Sequence, residues 1–290
     1  MDMSKDGELR FQCRRRQLLV VRCGYDCCPE GSAEEELSNR MSVLQRIARK
    51  RIEFERETRD MEERSLLSAA SWVVHTATRS AITRHVKGKV LDIGCGTQPY
   101  REMIISTGAG YEGLDIEKRC AHLDYQGDAL NLPIELKGKE FDCVLGLMVW
   151  EHLPDPMLAT RNVRKLLAEG GILVLSVPHL SRLHEIPNDY FRFTRYGLQS
   201  MLRQEGFEPV EIVPCGGILS FIGHQVSTVF VCLSRGIPGI QQLVFLLNKY
   251  ILVYPLIWLD RWIDREGLLP LAYVAVARVP GRRPGGEPNG

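Results

Sequence analysis

Asp92, Gly94, Gly96 and Asp115 are the residues whose types and spacing could bind a nucleotide-like ligand. Gly94 and Gly96 stand one residue apart in KVLDIGCGTQPY, directly after the apolar run Val90, Leu91 and Ile93. With no Cβ, such a pair lets the backbone turn sharply and come close to a ligand. The Asp92 carboxylate, just ahead of the turn, is placed to accept hydrogen bonds from that ligand or to orient the loop. Asp115 follows Gly96 by about twenty residues, the separation at which an acid at the tip of the next strand accepts from both hydroxyls of a ribose. A lone aspartate at a strand end would be a turn former, and it is the spacing from the glycine loop that favours the ribose. Pro99 occupies the place where a dinucleotide fingerprint carries its third glycine, which argues against a pyrophosphate cradle and a nicotinamide oxidoreductase.

A second set of residues could move a proton. His152, His179 and His184 are spread over the following stretch, and an imidazole accepts a proton near neutral pH. His152 lies in a Trp150-Glu151-His152-Leu153 segment, where the side chain serves either as a base or simply shapes the turn. Asp189 and Arg192 either face a substrate or pair with each other, with Tyr190 packing beside them.

The elements that must position these groups follow from hydrophobic pattern. The run before Gly94 reads as a strand buried on both faces, and Tyr100–Thr107 as the first crossover helix. The stretch AGYEGLD carries the second strand, ending on Asp115. Phe141–Leu147 reads as the fourth strand, opened by Asp142. Asp155, Pro156 and the later Gly170-Gly171 bound a helix over Asp155–Glu169, and GGILVLSVPHL is the fifth strand. Thr194 caps a helix that runs to Glu205 and is stopped by Gly206. Phe207–Val213 is the sixth strand and Leu271–Val279 the seventh. Upstream, Leu37, Met41, Leu44 and Ile47 recur at helical spacing in a charged stretch, and Leu66–His85 is a second helical stretch. His75 and His85 read there as packing or surface residues.

The order of these pieces resembles the class I S-adenosylmethionine-dependent methyltransferases, in particular the UbiE-like, type 11 superfamily. The likeness rests on the glycine loop, Asp115, Asp128 in QGDALNLP, the post-strand WEHL segment and the run from His184 through Asp189, Tyr190, Phe191, Arg192, Phe193 and Thr194 to Gly197 and Leu198. It covers about Lys89–Val213 and the last strand. The resemblance implies an α/β fold: a Rossmann-like, mostly parallel seven-strand sheet whose last strand is antiparallel, with helices on both faces. It implies S-adenosylmethionine as cofactor, held by Asp92, Gly94, Cys95, Gly96, Asp115, Ile116, Asp128, Ala129, Leu130 and Leu147, with Asp128 and its apolar neighbours bordering the adenine. Tyr100, His179, Asp189, Tyr190 and Arg192 are then the substrate-side residues, and His152 and His184 the catalytic candidates. The acceptor is expected to be a small molecule, a hydroxyl on an apolar, lipid-like or glycosylated compound. Displacement at an activated sulfonium depends on positioning. No acidic cluster of the catechol-methylating kind is present, so metal independence is expected. The competing reading is a catalytically silent protein of this fold, acting as a partner or membrane-docking subunit.

Composition bounds the remaining possibilities. The 290-residue chain is 44% hydrophobic and 25% charged with net charge +1, which is ordinary for a globular protein and gives no electrostatic case for nucleic acid. No Asn/Asp-Pro-Pro-aromatic motif of the base-modifying enzymes follows the fourth strand. The nine cysteines are odd in number, and Cys95, Cys143 and Cys232 read as reduced core thiols of a cytoplasmic protein. The first ten residues are charged with no apolar core beside them, which argues against a signal peptide. Cys13, Cys23, Cys27 and Cys28 lack a repeated C-x2-C pair and a nearby histidine, so they are not read as a zinc site. Residues 1–32 are expected to be a flexible extension, with Met41 or Met61 as an alternative start. Residues 33–87 form N-terminal helices, 88–279 the methyltransferase domain and 280–290 a disordered tail.

The departure from the family is residues 216–268, where a hairpin would ordinarily join the last two strands. Two apolar blocks stand there, Ile218–Ser234 and Ile240–Trp262. The second has the length of a bilayer span, but Asn248, Lys249 and Pro255 interrupt it. An interfacial or buried helical hairpin is expected, used as a membrane-surface dock, a homodimer face or an apolar lid.

Overall fold

The computed structural model describes residues 68–234 and 240–281. The expected extension, the first amphipathic helix, the four N-terminal cysteines and most of the C-terminal tail lie outside these residues. The described chain begins with helix α1 (Ala69–His85), whose N-cap Ser68 accepts from the Ser71 amide. It continues through β1 (Lys89–Ile93), α2 (Arg101–Ser106), β2 (Gly110–Asp115), β3 (Tyr125–Gln126) and β4 (Phe141–Leu147). A 3-10 turn, Trp150–His152, precedes α3 (Pro156–Leu166) and β5 (Leu167–Pro178). Then come α4 (Arg195–Gln204), β6 (Glu208–Cys215), α5 (Ile218–Ser234), α6 (Ile240–Leu247), a π-helical stretch Asn248–Val253, α7 (Tyr254–Ile263) and β7 (Ala272–Arg278).

The strands form one seven-stranded sheet in the order β3-β2-β1-β4-β5-β7-β6. β7 is antiparallel to both β5 and β6, and the other neighbours are parallel. This is the expected Rossmann-like sheet with an antiparallel last strand. Its central strands are buried on both faces, which is why β1 and β7 read as near-continuous apolar runs. One face gathers Leu91, Leu114, Val144, Leu173, Trp150 and Leu202 into a core. The other gathers Val90, Leu145, Val174, Ile82 and Ile104.

Local signals set most boundaries. Asp155 accepts from the Leu158 amide at 2.9 Å and Pro156 opens α3. Thr194 accepts from the Gly197 amide at 3.0 Å and opens α4. The largest difference from the sequence reading is where α3 gives way to β5. α3 ends at Leu166 rather than Glu169, because Leu167 already pairs with Phe141 on β4. Strand pairing overrides a helix stop placed by the later glycine pair.

The stretch after β6 is helical, as the apolar blocks suggest, and only partly buried: Ser227, Asn248, Val253 and Asp260 face inward. Ile222, Phe230, Leu246, Ile251, Trp258 and Trp262 are exposed. It leaves and rejoins the sheet at adjacent points, since the Leu271 amide donates to the Cys215 carbonyl at 2.9 Å. Asp260 on α7 locks it. The Asp260 carboxylate accepts from the amides of Gly217, Leu219 and Ser220 at 3.0, 2.9 and 2.7 Å, capping the start of α5. α5 packs on α1, and the rings of Trp72 and Tyr254 meet edge-on at 5.2 Å. Among the described residues no helix is long and apolar enough to cross a membrane.

Candidate active site

The glycine loop leaves β1 with Gly94 and Gly96 both in the left-handed region, at φ +66° and +54°. The two positions do different work. A Cβ on Gly94 would stand 2.4 Å from the Val149 side chain, so that glycine lets the loop close against the turn after β4. A Cβ on Gly96 would meet nothing within 4 Å, so this glycine borders open space at the carboxyl end of the sheet. Asp115 ends β2 with 6% exposure, its Oδ2 accepting from the Gly96 amide at 2.8 Å and its Oδ1 from the Glu117 amide at 2.9 Å. Each oxygen keeps a second lone pair for another donor. Ile116, next in the chain, is 63% exposed.

Asp92 is buried and accepts from the Tyr111 hydroxyl at 2.6 Å. Burial pushes its carboxyl up to about 7, against the pull of that hydrogen bond and with a further push from the Asp115 charge. Burial, with the charges of Asp92 and Asp115, also drives the Cys95 thiol well above its ordinary range, so Cys95 serves as packing beneath the loop rather than as a nucleophile. Gln98, which takes φ +58°, donates through Nε2 to the His122 carbonyl at 2.8 Å and holds the loop to the segment after β2.

Further along the edge, Asp128 Oδ1 accepts from the Leu130 amide at 2.9 Å. Asn162 on α3 donates to the carbonyls of Ala129 and Leu130 at 3.1 and 3.0 Å, which fixes this turn. Ala129 is buried, and Leu130 and Leu147 are half-buried. Met148 follows β4 at φ +58° with its side chain partly exposed, the kind of backbone outlier that collects at functional edges.

The loop between β5 and α4 folds back over the turn after β4. The amides of Tyr190 and Phe191 donate to the Glu151 carbonyl at 2.8 and 3.2 Å. Arg192 grips Asp189 with two nitrogens at 2.6 and 2.7 Å, and Asp189 also accepts from the His184 amide at 2.8 Å. Burial pushes the Asp189 carboxyl up, but Arg192 and the His184 amide win and hold it at about 2. Asp189 and Arg192 thus pair with each other. Tyr190 is 49% exposed, its hydroxyl 3.2 Å from Asn188 Oδ1. His179 places Nδ1 2.9 Å from the Phe193 carbonyl.

His152 and His184 come together with rings edge-on at 4.8 Å. Between them lies the Glu151 carboxylate, wholly buried, with each Nε2 3.7 Å from Oε1. Burial pulls His184 down, yet the Glu151 carboxylate, the Arg182 carbonyl and the Asp189 charge raise it overall. Glu151 is the residue that sequence reasoning passed over; the Glu-His pair after the fourth strand was its only signal. Tyr100 departs from expectation in the other direction. It is buried, with its hydroxyl 3.1 Å from His75 Nδ1 and the two rings stacked at 5.6 Å, so it closes the core beside α1 instead of standing open to a substrate.

The methyltransferase-domain family matches residues 46–212, more than half of the 290-residue chain. The chain belongs to the class I S-adenosylmethionine-dependent methyltransferases. Its cofactor is S-adenosylmethionine. The residues in place suit that group: an acid with free lone pairs at the end of β2, open space over Gly96 and an exposed apolar side chain at Ile116. The methyltransferase is 25% identical over 153 residues to the ubiquinone biosynthesis O-methyltransferase of Ralstonia nicotianae, covering 43% of this chain and 64% of the relative. It is 31% identical over 129 residues to the enzyme of the same name from Psychrobacter cryohalolentis, covering 40% and 48%. The chain thus matches about half to two thirds of the length of these relatives. Among solved structures, the [4+2]-cyclase SpnF aligns with TM-score 0.49 at 17% identity, over 71% of this chain and 82% of that one. A SAM-dependent methyltransferase from Archaeoglobus fulgidus aligns with TM-score 0.45 at 19% identity, over 70% and 93%.

Proposed function

We propose that this methyltransferase acts on a hydroxyl of a small apolar or glycosylated acceptor held between the β5–α4 loop and the turn after β4. The observation that carries the reading is the convergence of His152 Nε2 and His184 Nε2 on a buried carboxylate at that turn. The relatives' names, which specify O-methylation in ubiquinone biosynthesis, support a hydroxyl acceptor.

The bound cofactor supplies a methyl group already activated by the positive sulfonium. In this reading Asp115 accepts from the ribose hydroxyls, the Gly94–Gly96 loop lets the backbone approach, and Ile116, Asp128, Ala129, Leu130 and Leu147 flank the adenine. The protein's main contribution is alignment of donor and acceptor. A hydroxyl arrives protonated, so an imidazole Nε2 of the cluster takes its proton, and the Glu151 carboxylate stabilises the imidazolium that results. The Asp189–Arg192 pair keeps the loop, and with it His184, over the site.

The helical excursion α5–α7 brings the enzyme to its acceptor. Exposed Trp258 and Trp262 stand with Arg261 and Arg265 on α7 and just past it. Lys249 lies over the rings of Tyr250 and Tyr254 at 5.3 and 5.7 Å. Aromatic rings mixed with cations suit the headgroup level of an anionic membrane, where a lipid-like acceptor would reside.

The test is methyl transfer from labelled S-adenosylmethionine to a panel of phenolic, prenylated phenolic and glycosylated hydroxyl compounds, with matching amines as controls. Transfer to an apolar hydroxyl that Asp115→Ala abolishes is the expected result. Transfer confined to amines, or none from folded protein that binds the cofactor, would reject the reading.

A further inference from the structure

Glu151, His152 and His184 gather one carboxylate and two imidazole nitrogens in one place. Glu151 is 0% exposed, and neither of its carboxylate oxygens has a hydrogen-bond partner. A buried charge left this way is costly unless a cation joins it. Its nearest neighbours in the cluster are the two Nε2 atoms at 3.7 Å. The opposite ring nitrogens are committed to backbone carbonyls: His152 Nδ1 lies 2.6 Å from the Asn188 oxygen, and His184 Nδ1 lies 3.2 Å from the Arg182 oxygen. A carbonyl only accepts, so each Nδ1 carries the ring proton of the neutral imidazole and each Nε2 presents a lone pair. Arg192 Nη2, 3.5 Å from His184 Nδ1, does not reverse this. Its two hydrogens go to Asp189 Oδ2 and the Arg182 carbonyl, both at 2.7 Å.

We propose that Glu151, His152 and His184 bind a divalent transition-metal cation, with Zn²⁺ the best match. One ligand atom from each residue falls within a mutual 4.8 Å. A tetrahedral ion with bonds of about 2.1 Å holds its ligand atoms roughly 3.4 Å apart, close to the 3.7 Å between Oε1 and each Nε2. Two imidazoles and one carboxylate are a donor set that zinc takes when a fourth position is left for an exogenous oxygen. Nδ1–H to a backbone carbonyl is also the arrangement that fixes the tautomer of ligating histidines. The open side is defined by exposure: the imidazoles are 21% and 23% accessible, the carboxylate not at all. The metal independence expected from the sequence rested on the lack of an acidic cluster of the catechol-methylating kind. This site uses mostly nitrogen and exists only once the loop carrying His184 folds onto Glu151.

The role of the ion rests on the proposed hydroxyl acceptor, but the binding site does not. A bound divalent cation lowers the pKa of an oxygen ligand. With both Nε2 atoms on the ion, the acceptor O–H loses its proton to solvent, and this step replaces the imidazole-base step that the metal-free cluster would use.

The experiment uses the full chain, without a histidine tag and stripped of metal, titrated with Zn²⁺ by calorimetry and with Co²⁺ by visible absorption. One ion per chain is expected, with cobalt d–d bands of nitrogen and oxygen ligation and a rise in the unfolding midpoint. Glu151→Gln and His184→Gln should each weaken binding at least about 100-fold and remove that rise. His184 is partly exposed, so its variant keeps the test alive if loss of Glu151 impairs folding. Absence of binding by folded protein, binding that both variants retain, or a thiolate charge-transfer band would overturn the proposal, the last by assigning the ion to cysteines. Methyl transfer measured separately with a chelator distinguishes the two ideas. Transfer to a hydroxyl by protein that binds no metal sinks the ion site alone, and an ion bound as described by protein that methylates only amines sinks the acceptor alone.

Discussion

The Gly96 amide donates to Asp115 Oδ2 at 2.8 Å, across nineteen residues of chain. This bond sets the glycine loop against the end of β2, so one carboxylate both shapes the loop and faces whatever lies beyond it. Replacing Asp115 with Ala should weaken S-adenosylmethionine and S-adenosylhomocysteine by at least about 100-fold, because hydrogen bonds to a charged group contribute about 1.5–3 kcal/mol each. Calorimetry on both ligands reads this directly, with Asp115→Asn expected to fall between. Unchanged affinity in the Ala variant would remove Asp115 from the cofactor site.

Asp92 predicts a pH dependence of stability. An aspartate in the unfolded chain ionises near pH 4, whereas buried Asp92 holds its proton to about 7. Across that window the folded state binds more protons, so this group makes the fold less stable as pH rises and has no further effect above it. The unfolding midpoint should therefore climb as pH drops from 8 to 6, and Asp92→Asn should flatten the climb. A variant with the same slope as wild type would place the titration elsewhere.

Among the described glycines, Gly146 leaves the least room for a side chain. A Cβ there would stand 2.0 Å from the buried Trp150 ring. Trp150 cannot yield, since its indole donates to Thr160 Oγ1 at 2.9 Å and it is fully enclosed. Gly146→Ala should destabilise by at least about 2 kcal/mol, visible in thermal or urea unfolding. The companion Gly170→Ala has room for its Cβ but sits at φ +75°, and should cost about 1 kcal/mol.

Arg192→Lys tests the loop. Lysine keeps the charge but cannot reproduce the two-pronged grip on Asp189. Hydrogen exchange over residues 180–193 should accelerate while cofactor affinity stays within about twofold of wild type. Methyl transfer should drop mainly through a higher KM for the acceptor. Loss of cofactor binding would show that the loop supports the donor side as well.

Trp258→Glu with Trp262→Glu should abolish flotation with vesicles containing anionic lipid and leave methyl transfer to a water-soluble acceptor intact. Flotation retained by the double variant would exclude α7 as the membrane contact.

The glycine loop and its tie to the end of β2 were readable in sequence because they are encoded locally. Spacing alone connects Gly96 to Asp115, and Thr194 and Asp155 announce their helices by the amides they cap. The cluster under the β5–α4 loop was not, because it depends on chain returning from a distance. Glu151 looks like an ordinary turn residue until His184 arrives beside it. Tyr100 reads as part of the loop, yet its partner His75 lies on α1. The end of α3 was misplaced for the same reason: Leu167 answers to Phe141 on another strand and not to the glycines that follow it. Asp260 gives no sign in sequence that it caps a helix some forty residues earlier.

That cap has a consequence for the history of such a chain. α5–α7 enters and leaves through neighbouring rungs of one ladder and carries its own latch. It is a cassette plugged into the far edge of the sheet, where trimming, lengthening or exchanging it need not shift the strands that carry the glycine loop. The exposed aromatic surface of α5–α7 can therefore drift while the strands that carry the glycine loop stand still.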